Sequence, residues 1–227
     1  STGGNDDLQG GTGNDLLIGD FEMRDDVTSN NTTLNGGDDT LLGESGNDHL
    51  VGDARIHSDV SSSSFLSGGE DDLQGGTGND TLIGDFEVLD DVNSSATITG
   101  ADDTLTGGAG DDTLTGDFVV HDTTNGSATL IGGADTFVFS LAEAGDGNDT
   151  ITDFEIGKDI LRFNDVIDGP GTDVQDLNNL SVFNDNGTDV TVNFTNGASI
   201  TFSGIGTGSI DSFEDLVNND LSKIIVD

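Results

Sequence analysis

The chain has 227 residues, 45 of them acidic and 5 basic, for a formal charge of -40, with 35 glycines, 31% hydrophobic residues and no Cys, Trp or Tyr. The sign of that charge excludes nucleic acid and anionic membrane surfaces as partners, and the lack of Cys excludes a disulfide framework. Self-repulsion on this scale leaves the chain near the disorder boundary, so bound divalent cations are the simplest counterweight to it. No apolar run is long enough to span a membrane, so no membrane insertion is expected. The opening Ser1-Thr2-Gly3-Gly4 is not a signal peptide, and a start without Met inside a repeat reads as a piece of a longer protein.

Glycines open successive segments at Gly3, Gly19, Gly36, Gly52, Gly68, Gly84, Gly100, Gly116 and Gly132, 16 residues apart except for one step of 17. The segments alternate in kind, which makes the true period 32 to 33 residues, the size of a solenoid unit. One kind reads Gly-Gly-x-Asp-x-Leu-x-Gly-Gly-Thr-Gly-Asn-Asp-x-Leu, as in residues 68–82. The other opens Gly-Asp-Phe and continues with polar residues, as in 84–99.

Within the first kind, two turns each carry an Asp two positions before an apolar residue. The shorter turn places Asp6, Asp39, Asp71, Asp103 and Asp135 before Leu8, Leu41, Leu73, Leu105 and Phe137. The longer turn places Asp15, Asp48, Asp80 and Asp112 before Leu17, Leu50, Leu82 and Leu114. Side chains two apart along a strand leave the backbone on one side, so the Asp can meet an ion while the Leu meets the core. Turn carbonyls that face a cation need backbone angles resisted by residues with a Cβ, which brings Gly11, Gly13, Gly46, Gly76, Gly78, Gly108 and Gly110 into the candidate calcium sites. Asp20, Asp53, Asp85 and Asp117 follow the segment-opening glycines and are either further ligands or turn-forming Asx residues.

If the Gly-Asp-Phe segments were ordinary coils, equivalent longer turns would lie two coils apart, roughly 9–10 Å, too far to share an ion held at about 2.4 Å per ligand. The favoured expectation is that residues 21–34, 54–66, 86–98 and 118–130 leave the roll as outward excursions, so that Asp15, Asp48 and Asp80 stack at strand spacing. The Ser/Thr/Asn-rich stretches 28–33, 61–64, 93–97 and 123–129 lie one repeat apart and form either a strip for polysaccharide or ice, or solvated loops.

After Gly132 the repeat yields to Phe-rich alternation, and a β-rich cap over 140–227 is expected to close a roll over 1–139. Its expected strands are 160–163, 181–183, 190–194 and 198–202, with a hairpin turn at Asn186-Gly187 and a short helix over 210–217 capped by Ser209. His49, His57 and His121 show no metal-binding pairing and read as surface histidines. The run Gly43-Glu44-Ser45-Gly46-Asn47 lacks the last glycine of a nucleophile elbow. Paired carboxylates recur in every unit, which suits ion binding and not a single acid/base site, so no enzyme active site is expected.

Gly10-Gly11-Thr12-Gly13-Asn14-Asp15-Leu16-Leu17-Ile18 and its equivalent over 75–83 closely resemble the RTX nonapeptide Gly-Gly-x-Gly-x-Asp-x-(aliphatic)-x; residues 43–51 depart from it only at Glu44. The resemblance implies an all-β, right-handed parallel β-roll that binds several Ca2+ ions between neighbouring turns. Two residues are missing from the shorter turns, so the family's site geometry transfers to them less directly. The closing region resembles the segment that follows such repeats in type I secreted proteases, epimerases and adhesins. There, Asp149-Thr150-Ile151-Thr152-Asp153-Phe154 implies a last calcium site using Asp149 and Asp153. The end, Leu221-Ser222-Lys223-Ile224-Ile225-Val226-Asp227, is either a retained secretion signal or a final strand. The implied function is a monomeric module that folds on calcium outside the bacterium and serves the type I secretion and folding of a larger adhesin at the cell surface. A ligand-binding adhesin module for polysaccharide or ice is one alternative. A non-catalytic accessory module of a secreted protease, lipase or alginate epimerase is the other.

Overall fold

One period of about 32 residues makes one complete coil, and each coil lays down four short strands. The computed structural model describes residues 1–24, 32–60, 63–93, 95–125, 128–141, 147–164 and 174–227, with the backbone alone at 93 and 121–125. The first coil contributes Asp7–Thr12, Leu16–Ile18, Phe21–Met23 and Thr33–Asn35. Thr40–Ser45, His49–Val51, Ala54–Ile56 and Phe65–Ser67 stack upon them in the second coil, followed by two further coils. Every strand of the coils pairs in parallel with its equivalent one period away, so the chain is a parallel β-solenoid of about four turns.

The register follows from the apolar residues. Leu8, Leu41, Leu73, Leu105 and Phe137 form one row in the first sheet, and Leu17, Leu50, Leu82 and Leu114 form another in the second. A slip by one residue would turn each of these inward side chains to solvent, at about 1.5–3 kcal/mol apiece for a fully buried Leu. The two sheets enclose the roll's core, in which Leu41, Leu50, Leu73, Leu82, Leu105 and Leu114 are fully buried.

The Gly-Asp-Phe segments do leave the roll, and where they are described they leave it as strands. Phe21–Met23, Ala54–Ile56, Phe86–Asn93 and Phe118–Asn125 make a third sheet, and Thr33–Asn35, Phe65–Ser67, Thr97–Thr99 and Thr129–Ile131 a fourth. Alternation about Glu87 turns Phe86 and Val88 inward, where they pack with Leu34, Ile56, Leu66 and Ile98 in a separate core. Each coil thus runs through two lobes joined at a waist, and equivalent turns of the roll lie directly on one another. Residues 25–31, 61–62, 94 and 126–127, which hold much of the expected polar strip, lie outside the described residues.

Beyond the fourth coil the first sheet continues without a break from Thr136–Ser140 to Ile160–Asn164 and Ile224–Val226, all parallel. The second sheet continues through Asn148–Ile151 to Ser199–Phe202, then turns antiparallel with Val190–Phe194 and Ser181–Asp185. Leucines give way to phenylalanines in this region. Phe154, Phe202, Phe163, Phe194 and Phe213 meet at ring separations of 5.0–6.4 Å, covering the last leucine layer. Asn186 accepts from the N–H groups of Thr188 and Asp189 in the expected hairpin turn.

The helix expected over 210–217 is shorter than that. It runs over Phe213–Leu216 with Ser212, not Ser209, as its N-cap, because the N–H groups of Ser209 and Ile210 donate to the Asp185 carboxylate and hold that stretch as a loop. A second helix, Val174–Leu180, has no counterpart in the sequence reading. The closing residues Ile224–Val226 form a final strand with Ile224 buried.

Candidate metal centres

The longer turn of each coil joins the first sheet to the second. Its glycines Gly11, Gly13, Gly46, Gly76, Gly78, Gly108 and Gly110 all have φ between 94° and 144°, the left-handed region that side chains resist. Beyond the first coil, where Gly11 and Gly13 are open, space is also short. A Cβ on Gly46 would stand 1.5 Å from Gly13 O, and one on Gly78 would stand 1.7 Å from Gly46 O. Glu44 replaces the glycine of its row and is held at φ 73°, a conformation that costs a residue with a Cβ about 1–2 kcal/mol.

Between these turns the aspartates form a column. The N–H groups of Asp15, Asp48, Asp80 and Asp112 donate to Oδ1 of the equivalent Asp one coil on, at 2.8, 2.8, 2.7 and 3.0 Å, and the column ends on Asp149. Asparagines and one aspartate run beside it in the opposite sense: the N–H groups of Asn47, Asn79 and Asp111 donate to Oδ1 of Asn14, Asn47 and Asn79. Oδ1 of Asp48, Asp80, Asp112 and Asp149 therefore ties coil to coil. Oδ2 of Asp15, Asp48 and Asp80 is shut off from solvent and meets no hydrogen-bond donor. The position of a Cβ on Gly43 is 2.6 Å from both Asp48 Oδ2 and Gly75 O, so a carboxylate and a carbonyl oxygen stand close together beside that glycine. Burying such an oxygen without a partner costs free energy, whereas a ring of carboxylate and carbonyl oxygens is what Ca2+ takes as ligands. Residues and ion fit.

The waist carries two more columns. In one, the N–H groups of Asp6, Asp39, Asp71, Asp103 and Asp135 donate to Oδ1 of the next Asp, at 2.6–3.1 Å, ending on Asp159. In the other, Asp20, Asp53, Asp85 and Asp117 reach across the waist to accept from N–H groups on the link returning from the second lobe, those of Gly37, Gly69, Ala101 and Gly133. These bonds span 16 or 17 residues, so the aspartates are not local Asx turns. Asp153 ends this column by accepting from Gly116 and Asp117. The expected pair Asp149 and Asp153 is thereby divided, one terminating the turn column and the other the waist.

Carboxyl oxygens of Asp6, Asp20 and Asp39 lie within 4.8 Å of one another. Burial, reinforced by neighbouring aspartates, pushes Asp71 up to about 10, Asp135 to about 9, Asp159 to about 7 and Asp39 and Asp117 to about 6. Asp53, Asp85 and Asp103 are raised for the same reason. Asp159 is absent from the sequence-derived candidates, although it stands two residues before the buried Leu161, the spacing shared by every shorter-turn Asp.

His49 and His57 are less exposed than expected, and the side chain of His121 lies outside the described residues. His49 Nε2 lies 3.1 Å from Glu87 Oε2, which Arg55 Nε approaches to 2.6 Å, and His57 Nε2 lies 3.4 Å from Glu22 Oε1. Glu22, Arg55 and Glu87 are neighbours in one row of the third sheet, so these pairs tie that sheet to His49 of the second.

The family model for the C-terminal region of peptidase M10 serralysins matches residues 6–221. No curated protein matches the chain. Among the described residues, no helix is long and apolar enough to cross a membrane.

Proposed function

The chain belongs to the peptidase M10 serralysin C-terminal family, whose matched region is the RTX-type repeat part and not the catalytic domain, and on that premise we propose that it is a calcium-driven folding module of a larger type I secreted protein. The observation that carries this reading is the file of buried, unpartnered Oδ2 atoms on Asp15, Asp48 and Asp80, each beside turns held open by left-handed glycines. In a calcium-poor cytoplasm these carboxylates repel one another within a chain of formal charge -40, which favours the extended form an export channel requires. Outside the cell, at about millimolar calcium, Asp15, Asp48, Asp80 and Asp112 would hold ions between successive coils with the carbonyls of their turns, and binding free energy becomes folding free energy.

Residues 140–227 serve in this reading as the cap that covers the last leucine layer and starts folding from the C-terminal end. The family description favours a non-catalytic accessory module of a secreted protease over an adhesin as the parent. Circular dichroism of the chain titrated with calcium and with magnesium tests the proposal. Order should appear with calcium and not with the smaller, octahedral magnesium. Full order in chelator would overturn it.

A ligand surface is the second reading, supported by one register row of the fourth sheet, Thr33, Phe65, Thr97 and Thr129, in which Thr33 and Phe65 are exposed. Glycan-array and ice-affinity measurements in calcium, with Thr33, Thr97 and Thr129 replaced, test it. Binding unchanged by the replacements would rule out this row.

A further inference from the structure

Like charges gather at the waist, where Lys158 stands near the last member of one file, Asp117. Asp39, Asp71 and Asp103 are 1–3% exposed, and the Oδ2 of each has no hydrogen-bond partner. These atoms point at a second kind of oxygen. The position of a Cβ on Gly19 is 2.1 Å from Asp39 Oδ2 and 1.9 Å from Gly52 O. On Gly52 the corresponding distances are 2.0 Å to Asp71 Oδ2 and 1.8 Å to Gly84 O, and on Gly84 they are 2.2 Å to Asp103 Oδ2 and 1.8 Å to Gly116 O. From the other side come Asp20, Asp53 and Asp85. The carboxyl oxygens of Asp6, Asp20 and Asp39 lie within 4.8 Å of one another, the span allowed to two ligands of one cation at about 2.3–2.6 Å each.

We propose that the waist holds a second file of calcium-class cation sites, each built from a short-turn Asp (Asp39, Asp71, Asp103), a Gly-Asp-Phe Asp (Asp20, Asp53, Asp85) and a glycine carbonyl of the following coil. The ligands come from opposite margins of the waist, the exit toward the second lobe and the return from it. An ion there clamps the base of that lobe, whereas ions at the outer turns hold only the roll. The second lobe needs such a clamp because its fourth sheet is built of three-residue strands over a small core, which are marginal by themselves. The inference rests on the calcium reading above and extends it to a site that the nonapeptide turn does not contain.

The competing account is that neighbouring waist carboxyls share protons. Asparagine distinguishes the two, because it is the neutral isostere of a protonated Asp and a poor substitute for a carboxylate ligand. The experiment compares the whole chain with Asp53→Asn/Asp85→Asn and with the turn-column variant Asp48→Asn/Asp80→Asn, measuring calcium bound per chain by equilibrium dialysis and amide exchange at saturating calcium. The waist variant should bind fewer ions, about one for each carboxylate replaced, and lose exchange protection in Ala54–Ile56 and Phe86–Asn93 while His49–Val51 and Thr81–Ile83 stay protected. A full ion count with unchanged protection would show that the waist carries protons, and overturn the proposal. Asp20→Asn, confined to the first coil, gives the same readout if the double variant fails to fold, and an unchanged count there is equally fatal. Loss of ions from the turn-column variant alone refutes the waist sites and leaves the calcium module standing. An unaltered chain that binds no calcium refutes both.

Discussion

Replacing Gly52 by Ala should damage this protein far more than replacing Gly11 by Ala, although Gly11 has the rarer backbone angle. At Gly11, φ is 94° and nothing lies within 4 Å of the added Cβ, so the cost is that of a left-handed residue alone, about 1–2 kcal/mol. At Gly52 the Cβ would stand 1.8 Å from Gly84 O, 2.0 Å from Asp71 Oδ2 and 2.8 Å from Asp71 Cγ. Restoring ordinary contact near 3.4 Å requires the two coils to part by more than an ångström at this point. The ladder bonds Gly52 N–H to Ile83 O and Asp53 N–H to Asp85 O, both 3.0 Å, would then stretch past hydrogen-bonding distance while Asp71 is driven from its place. Two broken buried bonds and the steric strain together come to roughly 4 kcal/mol or more. At about 2–4 °C per kcal/mol for a chain of this size, Gly11→Ala should lower the thermal midpoint by about 2–8 °C and Gly52→Ala by about 8–16 °C or more. Differential scanning calorimetry in saturating calcium reads both. Equal shifts, or a milder effect at Gly52, would show that the waist is not packed as closely as described.

Calcium and acid should act in opposite senses. Asp71, Asp135, Asp39 and Asp117 have carboxyls raised from 3.8 to about 10, 9, 6 and 6 by burial and neighbouring charge, so the metal-free fold binds protons more tightly than the unfolded chain. Their stabilising contribution is therefore complete below about pH 4 and lost as pH rises through the folded values; in chelator, acidification from about pH 8 to about pH 5 should compact the chain in small-angle scattering, and expansion would contradict this. With calcium bound the same acidification should release ions and loosen the structure. Phe86→Ala, at a fully buried position of the second core, should cost about 3–5 kcal/mol, and Leu16→Ala, at a side chain 46% exposed, less than about 0.5 kcal/mol; similar losses in calcium-saturated denaturation would contradict the burial pattern. Asp185 accepts from the N–H groups of Gly187, Thr207, Ser209 and Ile210, which hold its carboxyl well below the usual range. The Asp185→Asn variant should exchange the amides of Ser209 and Ile210 faster near neutral pH, and unchanged exchange would mean that these bonds do not hold the loop.

The repeat and its chemistry are legible in the order of the residues. A glycine every 16 or 17 positions, Asp two before Leu and alternation along short strands are local properties, and they determine which side chains face inward and which turns suit a hard cation. The stacking of Asp15, Asp48 and Asp80 follows as soon as the intervening segments leave the roll. What those segments become is not a local property. Leu34, Leu66 and Ile98 each sit within a three-residue strand with too little periodicity to announce itself, and they form a core only when coils 32 residues apart lie on one another. The meeting of Asp20 with Asp39, the shift of the last helix to Ser212 and the gathering of four N–H groups on Asp185 likewise depend on how distant links close. Side-chain alternation is set residue by residue along the backbone, whereas the waist exists only where an outgoing and a returning stretch of chain are brought to the same point by the whole stack.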